Sequence, residues 1–82
     1  MVTVLRIDGF RVVIYPNDHR PAHMHVISAE HEAVFNLNCP AGPPALWENY
    51  GFAASDLRKI AGFLIDSLPM LCRRWSEIHG AT

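Results

Sequence analysis

At 82 residues, half of them hydrophobic and 18% charged, the chain has the length of one small domain, 1–82, and too apolar a composition for disorder. A formal net charge of −1 excludes a global basic field for nucleic acid, and no apolar run approaches the length of a membrane span. A core this small is marginal for a lone monomer, so a small partner protein or a homo-dimer is expected.

Residues 2–7 and 10–16 are rich in Val, Ile, Leu, Phe and Tyr and flank Asp8-Gly9, a strong two-residue hairpin signal. That turn pairs Ile7 with Phe10, Leu5 with Val12 and Thr3 with Ile14 on one apolar face. Arg6 opposite Arg11, Val4 opposite Val13, and Tyr15 take the other. Met1-Val2-Thr3-Val4-Leu5-Arg6 lacks the basic and long apolar regions of a secretory leader, which reads as a cytoplasmic protein.

Pro16-Asn17-Asp18-His19-Arg20-Pro21 is punctuated as a loop. A third strand follows at about 22–28 and a fourth at about 32–38, turning at Ala29-Glu30. This register sets Met24 and Val26 opposite Phe35 and Ala33, with His23 opposite Asn36 and His25 opposite Val34. Asn38-Cys39-Pro40-Ala41-Gly42-Pro43-Pro44 is a second loop, and residues 46–50 offer a short edge strand. Cys39 and Cys72 fit no Cys-x-x-Cys pattern, so reduced thiols are expected, with Cys72 a small buried apolar residue.

From Ser55 the period changes. Leu57, Ile60, Ala61, Leu64, Leu68, Leu71, Cys72, Trp75 and Ile78 form one helical stripe. Ser55 suits an N-cap and Gly80 a C-terminal stop. Pro69 inside one helix would cost about 3 kcal/mol. The spacing therefore predicts two helices, about 55–67 and 68–79. Phe63, Ile65 and Met70 fall off the stripe and suit a second contact surface. The fold class is α+β: an antiparallel meander of about four strands, one face covered by two C-terminal helices, the histidine face open.

Three of the five histidines lie in His19-Arg20-Pro21-Ala22-His23-Met24-His25. Strand alternation puts His23 and His25 on one side, and His19 belongs to the loop leading in. Three chemistries stay open. With His19, the pair can hold a zinc-type divalent metal, with His31 or Glu32 as extra ligands. Alternatively, Arg6 and Arg11 hold a phosphate of RNA, His23 and His25 act as acid and base beside Arg11, and Tyr15 stacks a base. In the third reading the imidazoles only hydrogen-bond across the sheet or contact a partner. Whether the protein is an enzyme is left open.

The segments Gly9-Phe10-Arg11-Val12-Val13-Ile14-Tyr15, Asp18-His19-Arg20-Pro21-Ala22-His23-Met24-His25 and Leu71-Cys72-Arg73-Arg74-Trp75 together resemble a bacterial domain-of-unknown-function family, DUF4160. Its pattern is a Gly-led strand, an Asp/Glu-His turn, a His-x-Pro-Pro-His-x-His segment and a late Leu-x-x-x-Trp. The likeness covers residues 9–79 and departs at Ala22, where the family usually has a second proline. It carries no established activity. It implies a bacterial protein often encoded beside another small protein, in an arrangement like a toxin–antitoxin pair.

Overall fold

Five short segments of β-branched and aromatic residues pair in sequence order, because each connection is too short for a crossover and forces its neighbours antiparallel. The structure, a computed structural model, describes residues 1–7 and 9–80. Strands β1 (Val2–Ile7), β2 (Phe10–Ile14), β3 (His23–Ile27), β4 (Glu32–Asn36) and β5 (Ala45–Tyr50) form one sheet in the order β1-β2-β3-β4-β5. Helices α1 (Ala54–Asp66) and α2 (Leu68–His79) follow. The sequence-based α+β meander is thus present, one strand larger, because the segment expected at 46–50 pairs with β4, Trp47 alone being bulged out of the ladder between Leu46 and Glu48.

The register of β3 on β4 is the expected one: His23 opposite Asn36, Met24 opposite Phe35, His25 opposite Val34 and Val26 opposite Ala33. In the first hairpin Ile7, Arg6 and Leu5 face Phe10, Arg11 and Val12, after which the ladder shifts. Thr3 faces Val13 and Val2 faces Ile14, so Val4 is a bulge residue and does not oppose Val13. A bulge inserts one residue and increases local twist, which alternation alone does not announce. The Asp8-Gly9 turn lies partly outside the described residues. Gly9 itself has φ +91°, a conformation that favours glycine.

One face of the sheet supplies Val12, Ile14, Met24, Val26, Ala33 and Phe35 to a core completed by Ile60 and Leu64 of α1 and Leu68, Leu71 and Trp75 of α2. The N-cap of α1 is Ala53, without a side-chain cap, where Ser55 was expected. A cap is worth about 1 kcal/mol, while each fully buried leucine or isoleucine is worth about 1.5–3. Packing therefore outweighs capping in fixing where α1 begins. Pro69 sits in the first turn of α2, after Ser67, where its missing N–H breaks no bond.

The cysteine expectation is overturned. Cys39 and Cys72 form a disulfide across 33 positions, with Cα atoms 5.9 Å apart. The loop after β4 folds back onto α2 and brings the thiols within bridging distance, a proximity that sequence spacing cannot report. Cys72 is accordingly half-buried at the core margin rather than enclosed. The histidine face is also less open than expected, since Val13, Val34 and His23 on that side are buried. Among the described residues no helix is long and apolar enough to cross a membrane.

Candidate metal centre

Alternation along β3 directs His23 and His25 to one side of the sheet. The loop after β2 turns back at once: the Asp18 amide donates to the Tyr15 carbonyl at 2.9 Å. That turn brings Asp18 Oδ2 to 3.3 Å from His23 Nε2 and 3.2 Å from His25 Nε2. Ligand atoms of these three residues all lie within 4.8 Å of one another. Their side chains are largely withdrawn from water, at 11% exposed for His23, 15% for His25 and 19% for Asp18.

The other nitrogen of each ring is already engaged. His23 Nδ1 donates to the Pro21 carbonyl at 2.9 Å, and His25 Nδ1 meets Glu32 Oε2 at 3.1 Å. Each ring thus stands between two acceptors, the Pro21 carbonyl and Asp18 for His23, Glu32 and Asp18 for His25, while a neutral imidazole has one proton to give. With that proton on Nδ1, each Nε2 presents a lone pair toward the same carboxylate oxygen. In that tautomer three acceptors face one another, an arrangement that suits a cation among them. Two ligands about 2.1 Å from one ion, at tetrahedral or octahedral angles, stand about 3.0–3.4 Å apart. The separations of 3.2 and 3.3 Å between Asp18 and the two rings fit that requirement.

Aromatic rings wall the cluster. Tyr15 meets His25 edge to face at 4.5 Å. The rings of Trp47 and Trp75 lie 5.3 and 5.1 Å from that of His23. Trp75 also stacks on His79 at 3.7 Å. Such walls lower the local dielectric and strengthen any ion held there.

Of the residues singled out from sequence, His23 and His25 converge and His19 does not. His19 is exposed in the loop, and Asp18 takes the place expected for it. A carboxylate adjoining the His-x-Pro segment was the available signal for Asp18; the turn that folds it over β3 was not legible. Glu32 engages the far nitrogen of His25, a supporting position. His31 packs its ring against Phe52 at 5.4 Å and is no part of the cluster. Arg6 and Arg11 are cross-strand partners, but Arg11 faces Ile27 while His25 faces Val13. The two arginines line a separate hollow of about 410 Å³ with Phe10, Ser28 and Ala29. The structure therefore does not bring Arg11 to His23, and Tyr15 goes with the histidines instead of the arginines. Trp47 and Trp75 as neighbours of His23 were missed, since one was assigned only to an edge strand and the other to the core stripe.

The fold and site define a small α+β protein with a two-histidine, one-carboxylate cluster on its sheet. The chain belongs to the family described as Domain of unknown function (DUF4160), whose model matches residues 9–76. No curated protein and no solved structure matches it.

Proposed function

We propose that the protein binds a divalent transition-metal ion through Asp18, His23 and His25. The observation that carries this reading is the convergence of Asp18 Oδ2 and two Nε2 atoms whose rings are anchored at Nδ1. Histidine ligands with the far nitrogen held by a carbonyl or carboxylate are the usual support of a metal centre. Three protein ligands leave coordination positions open, and an ion bound that way supplies a Lewis acid and an activated water.

The test is elemental analysis of protein purified without chelator or affinity tag. We expect near-stoichiometric zinc or another transition metal, lost in His23→Ala and Asp18→Asn and kept in His19→Ala. Metal-free protein whose melting temperature ignores added zinc and manganese would overturn the reading and leave the two rings as hydrogen-bond partners of Asp18.

The resemblance and the surface support a wider setting. Leu46, Trp47 and Tyr50 on the edge strand β5, and Phe63 and Ile65 on α1, are exposed large hydrophobics, as a chain working through a partner would present. We read the protein as one half of a bacterial, toxin–antitoxin-like pair, with a small protein encoded nearby or a second copy as its partner. Growth arrest on expression, relieved by the neighbouring gene, is the expected sign of the toxin half. The alternative is a metal-binding or metal-free RNA-directed hydrolase using the His19/His23/His25 face, for which His23 and His25 stand together beside Asp18 while Arg6 and Arg11 line a hollow of their own. A cytoplasmic location would set the Cys39–Cys72 bridge against a reducing thiol pool.

A further inference from the structure

The last histidine of the sequence, His79, stands outside the cluster, in the final turn of α2. It is half-buried. Its ring stacks on that of Trp75, with centroids 3.7 Å apart and planes 19° from parallel. Residues four apart share one face of a helix, so α2 itself supplies this stack.

The same ring reaches the turn after β2. Nε2 lies 3.3 Å from the Tyr15 carbonyl, and Nδ1 lies 3.2 Å from the Trp75 carbonyl. A neutral imidazole has one proton for these two acceptors. With that proton on Nε2, His79 donates to Tyr15 and ties α2 to the turn. The Tyr15 carbonyl also accepts the Asp18 amide at 2.9 Å, the bond that folds Asp18 over β3.

Both residues that His79 touches are in turn against the ligand rings. Tyr15 meets His25 at 4.5 Å, and Trp75 lies 5.1 Å from His23. One imidazole is therefore a single residue removed from all three members of the cluster. The neighbouring position adds a second tie, since the Gly80 carbonyl accepts Arg20 Nη2 at 3.1 Å. The loop that carries Asp18 is thus gripped on both sides, at Tyr15 and at Arg20, by consecutive residues at the end of α2.

We propose that His79 is a positioning residue for the metal centre. It holds Asp18, His23 and His25 in ligand geometry through Tyr15 and Trp75 and does not touch the ion. The proposal rests on the metal reading above. Removing a group that orients ligands from outside the coordination sphere typically costs about 10–100-fold in metal affinity.

The test combines zinc titration calorimetry of the folded protein with hydrogen exchange of the Asp18 amide in metal-free protein. His79→Phe keeps a ring on Trp75 and loses the donor. It should weaken zinc about tenfold and speed Asp18 exchange about tenfold. His79→Gln, whose side-chain amide can donate to Tyr15, should stay within about threefold of the native protein in both. Ile78→Ala thins the packing against the core beside His79, so it should lower the melting temperature and leave zinc affinity within about twofold. Native affinity in His79→Phe, equal losses in the Phe and Gln variants, or an equal loss in Ile78→Ala would each overturn the proposal. If the native protein binds no zinc, the metal reading fails by itself and the Asp18 amide decides. Unchanged exchange in His79→Phe then overturns the positioning role, and faster exchange, restored in His79→Gln, upholds it.

Discussion

Single residues decide whether the cluster on β3 is a site or a set of surface contacts. His23 and His25 were legible because strand alternation is local and needs no knowledge of the rest of the chain. Asp18 was not, since its position depends on the turn that its own amide closes onto Tyr15. A similar limit applies to His31, which looks like a spare ligand in sequence. In the fold its ring lies over Gly51, where φ is +105° and an added Cβ would run into the imidazole. Both the backbone conformation and the contact oppose a side chain there. Gly51→Ala should therefore destabilise the protein by about 1–3 kcal/mol, read as a lower urea midpoint. An unchanged midpoint would mean that the β5 exit and His31 relax at no cost.

At the level of elements, the change from period two to period three-to-four after Ser55 placed both helices to within a residue of their observed bounds. The break between them was legible because proline has few tolerable positions. The Ser67 amide still donates to Phe63, and the Leu71 amide donates to Ser67, so the chain passes from α1 to α2 with its backbone satisfied. Pro69→Ala should accordingly change stability by less than about 1 kcal/mol, against about 3 for a proline that interrupted a helix. Equilibrium unfolding of the two proteins measures that difference. The bulge at Val4 and the full length of β5 were less legible, because both depend on cross-strand pairing and not on local pattern. On β5 the Tyr50 hydroxyl donates to Glu48, and that carboxylate holds the phenol above its ordinary titration range. The edge strand thus carries a charged, hydrogen-bonded pair beside its exposed aromatics, a composition that discourages indiscriminate edge pairing.

For the whole molecule, the least legible feature is the link between the proline loop and α2. Nothing local to Cys39 or Cys72 distinguishes a bridged pair from two free thiols; only the completed fold sets their Cα atoms 5.9 Å apart. Closing a loop of that length restricts the unfolded chain, so reduction should cost about 2–4 kcal/mol. In a domain of this size that lowers the melting temperature on the order of ten degrees or more. Thermal unfolding with and without a phosphine reductant measures it, and a Cys39→Ser, Cys72→Ser double variant should match the reduced protein. The bridge joins the loop after β4 to α2 and is no part of the Asp18, His23, His25 cluster. Reduction should therefore leave metal affinity of the folded protein within about twofold, read as an unchanged concentration dependence of the stabilisation that added zinc gives the native state. A larger loss of metal affinity on reduction would mean that the bridge holds β3 as well as α2.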